Sequence, residues 1–467
     1  MFSKPVAIVT LLTLLCCQSL DAIINDKIDR IIDLSSQLVK ITDRIHFTEN
    51  PGQYQIILES SHKERLAHID ASIGGESVDL EERPDGSYIV DLSKKKIDQP
   101  LVVVSVYTKL LQPYPAEIRQ NERQLVRYLG SQTTLSPYVT KTSTTKIRLP
   151  QPSRLESFTK ASKMTTGNSK LVYGPFKDVQ PNQVEPLAIH FENNSPFVAV
   201  TNLVRSMELS PWARAIRVVN HVKVAHVGAR LKGPFSRIDY QRDHANGISS
   251  VRNFVAELPP SSSDIFYRDG IGNISTSNVR TSGSQTIVKL KPRFPLFGGW
   301  VTDFNLGYTV AMSQFVNEPV SGNNYRLSIP FADILYENMF IEEAIVKIVL
   351  PAGASDVEVK SSIGYERLAD ETSFSYLDVI GRPVIVLKKN NVVAQHLDGK
   401  PLIIRFNYSK MYMLQEPILL LAAALGTMIL TALYSKLWPA NSSFESVSGS
   451  LSTISGSSTA NPKPKSD

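Results

Sequence analysis

The sequence predicts a mainly β protein: two β-sandwich-like domains followed by a single transmembrane helix and a disordered tail. Three observations carry that expectation. Short runs rich in Val and Ile recur along the chain, bounded by Gly, Pro, Asn and Asp, which is the pattern of half-buried strands between turns. One uncharged apolar segment, Ile418 to Tyr434, is about 25 Å long as a helix and reaches bilayer thickness with its flanks. After Trp438 the composition collapses to Ser, Thr, Gly, Asn and Pro, which cannot bury enough surface to fold. With 42% hydrophobic and 20% charged residues, the rest is ordinary folded material, which disfavours a disordered, collagen-like or polytopic chain.

Residues 1–22 read as a secretory signal peptide: Lys4, an apolar core from Val6 to Cys17, then small residues suiting a cut after Ser19 or Ala22. Both cysteines, Cys16 and Cys17, lie inside it. The mature chain then has no thiol, so disulfides, thiolate catalysis and cysteine-ligated zinc are excluded. A first lumenal β domain is expected over 23–240 and a second over 241–410, with the joint at Gly233, Pro234 and the turn-rich Gln241 to Gly247. Expected strands include Leu101 to Tyr107, Phe197 to Val204, Thr286 to Lys291, Ile345 to Leu350, Asp356 to Lys360, Val384 to Leu387 and Leu402 to Phe406. Ile24, Ile28, Ile31, Leu34 and Leu38 fit a helix face or a strand, and Ala116 to Leu129 is the better helix candidate. No internal repeat is visible. The span occupies 411–436, with Tyr412 and Trp438 as interfacial aromatics and Lys436 beyond. Behind a signal peptide this gives a type I topology, N-terminus lumenal, with a cytosolic tail over 437–467.

The net charge of +6 is spread without a basic block longer than Lys94 to Lys96, so no nucleic-acid partner is expected. There is no HExxH, Gly-x-Ser-x-Gly, Gly-x-Gly-x-x-Gly or phosphate-binding loop. His62 with His68 and His221 with His226 have spacings that suit neither a helix face nor a strand face. They read as structural histidines. Glu81 with Glu82 and Glu342 with Glu343 are adjacent pairs whose side chains point to opposite faces of a strand. No catalytic residue, metal ligand or cofactor site is therefore assigned. Candidate glycosylation sites are Asn273, the best placed in its turn-like run, then Asn407 and Asn193, the last weakened by Pro196. Glu416 at the membrane mouth is a candidate contact to another membrane chain. Lys463 and Lys465, fifth and third from the end, are candidates for a retrieval signal read in the cytosol.

Several continuous strings carry a resemblance. They are Leu231 to Arg242 (LKGPFSRIDYQR), Tyr267 to Ser277 (YRDGIGNISTS), Pro292 to Trp300 (PRFPLFGGW), Tyr376 to Val386 (YLDVIGRPVIV) and Met413 to Pro417 (MLQEP). Shorter ones lie at Ser136 to Tyr138, Tyr173 to Phe176 and Glu192 to Phe197. On these the chain resembles the ribophorin I family, subunits of the oligosaccharyltransferase of the endoplasmic reticulum. The resemblance implies a type I protein with two lumenal β-rich domains, acting as an accessory subunit. Catalysis is then expected in a separate polytopic subunit that holds the metal and the lipid-linked sugar. The implied partners are that subunit and the other subunits of the complex, nascent polypeptides, the translocon and membrane lipid. Vertebrate members carry a long cytosolic domain implicated in ribosome contact, whereas 29 residues follow Trp438 here, so no ribosome docking is expected. The competing readings are a membrane-tethered hydrolase, which lacks the zinc helix, and a cell-surface binding receptor, which would use disulfide-stapled modules.

Overall fold

Alternating apolar residues fold into long strands whose inward faces build the core. In the computed structural model, residues 23–437 are described except 94–98, 168, 243–246, 275–277, 284, 318–321 and 376–377. The expected signal peptide with Cys16 and Cys17, the tail with Lys463 and Lys465, and Trp438 lie outside the described residues. So does most of the expected joint at Gln241 to Gly247. Residues up to Met413 form one unit and those from Leu414 another.

The first unit contains the same strand topology twice. In the first half the central sheet runs Met164–Thr166, Lys170–Val179, Val139–Arg148, Ile24–Asp33, Val39–Phe47, Leu101–Tyr107, Leu66–Ile73, with Glu76–Val78 added at the last edge. In the second half it runs Glu371–Ser373, Arg382–Val393, Phe340–Val349, Val198–Ser210, Ala215–His226, Val301–Ala311, Ser263–Arg268, with Glu366–Arg367 also pairing with Arg382–Val393. Every neighbouring pair is antiparallel except one in each half, where the opening strand lies parallel to the strand before it in this order: Ile24–Asp33 with Val139–Arg148, and Val198–Ser210 with Phe340–Val349. The smaller sheets repeat as well. Three strands order as Gln53–Ile56, Tyr88–Asp91, Leu80–Glu82 in one half and Phe254–Leu258, Gln285–Leu290, Val279–Ser282 in the other. Four order as Gln112–Pro113, Leu125–Ser131, Pro186–Glu192, Leu155–Phe158 and as Val316–Asn317, Asn324–Ile329, Leu402–Asn407, Ser355–Lys360.

The expectation of no internal repeat is thus corrected: strand order and register repeat where residue identities do not. Separate apolar cores fill the two halves. Ile32, Ile41, Tyr128, Ile147 and Phe191 belong to the first, joined by a satellite around Ile28, Tyr54 and Val103. Leu203, Val218, Phe304, Val346 and Phe406 belong to the second. The second copy opens at Val198, so Val198–Ser210 and Ala215–His226, read from sequence within 23–240, sit in the second half's sheet.

The stretch from Ile24, open in sequence between a helix face and a strand, takes the strand alternative, and the helix expected over Ala116 to Leu129 is corrected. Ile24–Asp33 is a strand with Ile28, Arg30 and Ile32 inward, and a bulge at Asn25/Lys27 breaks its alternation. Ala116 to Leu129 holds the strand Glu117–Ile118 and the start of Leu125–Ser131, whose Val126 and Tyr128 face the core. The polar stretch between them turns, with Arg119 N–H donating to Glu122 Oε2 at 2.7 Å. Leu101–Tyr107 is present with the expected ends, and the other expected strands are present with shifted ends.

The halves meet end to end. The turn after Ile24–Asp33 sends Gln37 to the opening of the second half, where Nε2 donates to the carbonyls of Val198 (2.9 Å) and Asn338 (2.6 Å). Beside it Leu38 and Val106 pack on Ala199, Phe340 and Val393, and Lys109 pairs with Glu342 at 2.6 Å. A strap formed by residues 226–232 ties the joint: Arg230 and Lys232 donate to the carbonyls of Ala116 and Ile118, and Leu231 donates to that of Gly298.

The first unit ends within the 3-10 turn Lys410–Leu414, and the second holds the helix Gln415–Leu437. Residues 410–437 are long and apolar enough to cross a membrane.

Candidate functional site

Each half buries an arginine at the same place in its opening strand. Arg30 lies opposite Asp43 and Arg205 opposite Asn220 in the matching strand pair. In the first half Arg30 Nη1 donates to the Thr133 carbonyl at 2.9 Å, while Asp43 and Glu59 stand 3.5 and 3.4 Å away. Burial works against the Arg30 charge, but the two carboxylates outweigh it and keep the guanidinium protonated. Burial pushes the Asp43 carboxyl up, opposed by Arg30 and by the Thr134 hydroxyl. His62 closes the cluster, with Nε2 donating to the Leu129 carbonyl at 3.1 Å and Nδ1 3.6 Å from Glu59. The cavity among Arg30, Asp43, Tyr54, Glu59, His62 and Tyr107 holds about 30 Å³, which is room for a water.

The second half fills the same place with protein. Arg205 is fully buried and is met by Asp333, from the loop matching that of Thr133. Nη1 donates to Asp333 Oδ2 and to Asn220 Oδ1 (3.0 Å), and Nη2 donates to the Tyr308 hydroxyl (3.1 Å). Asn220 and Tyr308 in turn donate to Asp333. The charges of both arginines are met by carboxylates of their own cluster, so the clusters read as structural charge networks. Sequence reading missed Arg30, Glu59, Arg205 and Asp333. The available signal was a charge at an inward position of an alternating strand.

The histidine pairs do not act as pairs. His68 meets His396 instead, ring centroids 4.9 Å apart across the joint between the halves. His221 Nδ1 is 2.8 Å from Asn305 Oδ1, and buried His226 donates from Nε2 to the Ser249 carbonyl at 2.6 Å. Glu342 and Glu343 do point apart, to Lys109 and to Lys388. Glu81 and Glu82 are both exposed. Among the described residues no group of three or more His, Cys, Asp and Glu gathers as metal ligands.

Burial first, with help from Lys389, His68 and Lys400, holds His396 down at about 3, and burial lowers His68 as well, with Asp70 opposing. Since both rings resist protonation in the fold, the unfolded chain binds more protons below the ordinary histidine value. Stability is therefore unaffected above about pH 6.5 and falls as the pH drops toward 3, by at most about 1.4 kcal/mol per pH unit for His396. Denaturant titrations between pH 6.5 and 4 are expected to show a flatter pH slope in His396→Asn than in wild type. An unchanged slope counts against a neutral His396.

The sequence candidates are dispersed. Asn273 is exposed beside a bridge to Arg268. Its turn is fixed by Asp269, which accepts from Arg293 and from the N–H groups of Ile271 and Gly272; hydrogen bonding from Arg293 holds that carboxyl at about 2. Asn193 is buried, with Oδ1 accepting from the Ser195 N–H and hydroxyl. Asn407 is half-buried and donates to Asp356 at 2.8 Å. Glu416 is half-buried in the first turn of the apolar helix.

Three of the continuous strings meet where the chain is tied. Phe235 and Tyr240 from one string pack with Phe297 and Trp300 from another, with ring centroids 5.4 to 5.8 Å apart. Gln124 exchanges backbone and side-chain hydrogen bonds with Asn193 and Asn194, and its Oε1 accepts the Ala229 N–H at the strap. These contacts are a set of ties that hold one half against the other.

The family model described as Ribophorin I matches residues 23–435. Over 451 residues the chain is 33% identical to dolichyl-diphosphooligosaccharide–protein glycosyltransferase subunit 1A of Arabidopsis thaliana, covering 91% of this chain and 72% of that protein. It is 34% identical over 424 residues to subunit 1 of Caenorhabditis elegans, covering 88% and 71%. Among solved structures, an M1 zinc metallopeptidase from Deinococcus radiodurans aligns with 45% of this chain and 42% of its own, at 12% identity and a TM-score of 0.26, too slight a likeness to bear on fold or chemistry.

Proposed function

The chain belongs to the ribophorin I family, and from that premise we propose that it is an accessory subunit of the oligosaccharyltransferase complex. In this role it supports transfer of the lipid-linked oligosaccharide to Asn in Asn-X-Ser/Thr sequons of nascent polypeptides, with catalysis in a separate polytopic subunit. The observation that carries the reading is the match along the whole β body and into the apolar helix. The tied pair of sandwiches supports it physically: a stiff body on one membrane helix holds partners near each other and raises the effective concentration of acceptor asparagines.

The setting that fits this role is the endoplasmic reticulum membrane, with the β body in the lumen, other subunits and the translocon as partners, and Lys463 and Lys465 as retrieval signal. No observation favours a tethered hydrolase or an adhesion receptor. Depleting the chain is expected to lower sequon occupancy on secreted glycoproteins while the lipid-linked donor is made at its normal level. Full occupancy without the chain would overturn the reading.

A further inference from the structure

The two halves stack head to tail, and the repeat makes their matching ends comparable. The end of the first half that carries the turn after Ile24–Asp33 is covered, because Leu38 and Val106 pack there on the second half. The matching end of the second half has no third copy to cover it. Its turn after Val198–Ser210 carries Trp212, 54% exposed, and the adjoining segment before Arg382–Val393 carries Phe374, Val379 and Ile380, which are 67%, 63% and 56% exposed.

Hydrogen bonds and packing place these segments on one end. Arg382 Nη1 reaches Glu208 near the close of Val198–Ser210 at 2.6 Å, and Leu350 N–H donates to the Pro383 carbonyl. The chain leaves the body from the same end. Met413 packs against the second core, and Tyr412 lies so close to Gly353, whose φ is +79°, that a β-carbon there would come within 2.5 Å of the Tyr412 ring. The helix that is long enough to cross a membrane starts at Gln415. Only four residues, 414–417, lie between Met413 and Ile418, a stretch of chain that spans at most about 18 Å when extended.

An uncovered group of Trp, Phe, Val and Ile at the exit point of a membrane span has the composition of an interfacial belt, where aromatic rings settle at headgroup depth. Exposed Arg214 beside Trp212 supplies a cation for lipid phosphate. We propose that this end of the second half, through Trp212, Phe374, Val379 and Ile380, rests in the headgroup layer of the adjoining lipid leaflet. The lipid takes the place that the second half takes on the first. Together with Met411 and Tyr412 it gives the β body a second attachment that fixes its tilt on the membrane. The proposal rests on the membrane-spanning reading of Gln415–Leu437 and is independent of the glycosyltransferase assignment.

Since the only cysteines are Cys16 and Cys17, single-cysteine chains are readily made on a Cys16→Ser, Cys17→Ser background. Full-length Trp212→Cys, Ile380→Cys, Leu425→Cys and Val184→Cys would be labelled with an environment-sensitive fluorophore and reconstituted into phosphatidylcholine vesicles containing doxyl-labelled lipid. Labels at 212 and 380 are expected to shift to the blue and to be quenched by a doxyl group near the headgroups, the depth at which interfacial aromatic side chains settle. The label at 425, in the span, is quenched by a deep doxyl group, and the label at 184, exposed on the first half, is unaffected. Quenching at 425 without quenching at 212 and 380 overturns the proposal, as does equal quenching at 184. No quenching at 425 removes the span and the proposal with it.

Discussion

Replacing Arg205 by Ala is expected to destabilise the β body by about 3–5 kcal/mol, the usual cost of leaving one partner of a buried ion pair unpaired. The carboxylate of Asp333 accepts from Arg205, Asn220 and Tyr308 and is shielded from solvent. Without the guanidinium two neutral donors remain against a full negative charge, and a void replaces the largest fully buried side chain among the described residues. The loss would be read as a lower denaturation midpoint of the full chain in mild detergent. Combining Arg205→Met with Asp333→Leu should cost less than the sum of the single changes, because the double change removes the unpaired charge instead of creating one. Strict additivity would mean that the pair contributes no coupling.

The same arginine shows what could and could not be seen in the sequence. Strands such as Leu101–Tyr107 and Phe340–Val349 were legible because a strand buried in a two-layer core fills with Val and Ile. The span was legible because a bilayer imposes a length and excludes charge. Ile24–Asp33 was ambiguous because two of its inward positions hold Asn25 and Arg30, which breaks the apolar alternation and leaves isoleucines at helix-like spacing. Inward polar residues are tolerated only where distant loops bring partners, here Thr133, Glu59 and Ser136, and those contacts span up to 111 residues. No local window reports them.

The repeat was hidden for a related reason. What the two halves share is the order and sense of strand pairing together with one inward arginine each, while the groups that neutralise it differ. Asp43 and Glu59 face Arg30, whereas Asn220 and Asp333 face Arg205. Pairing order is set by the cumulative burial of each strand's face, which many sequences satisfy. The familiar catalytic motifs were absent from the sequence, and the family came from the strings, three of which the fold places at ties between segments.

Those ties make Gly298 the position where the smallest change should do the most damage to the joint. An added β-carbon would lie 1.8 Å from the Ala229 carbonyl oxygen and 2.6 Å from its carbon. Both are backbone atoms of the strap, whose neighbours are held from two sides: Arg230 N–H by Ala116, and Leu231 N–H by Gly298 itself. A flexible side chain could swing aside, but this carbonyl cannot move without breaking hydrogen bonds that join the halves. Gly298→Ala is therefore expected to cost at least about 3 kcal/mol, at the upper end of what overpacking does in a rigid interior. The cleavage sites that open first in limited proteolysis should lie along residues 226–232 and 116–118. Gly364→Ala is the control, since no atom lies within 4 Å of its added carbon and its φ is not in the left-handed range; it should stay within about 0.5 kcal/mol of wild type. Equal stability of the two variants would show that the strap yields, and that the halves are held together by the Gln37 and Leu38 contacts instead.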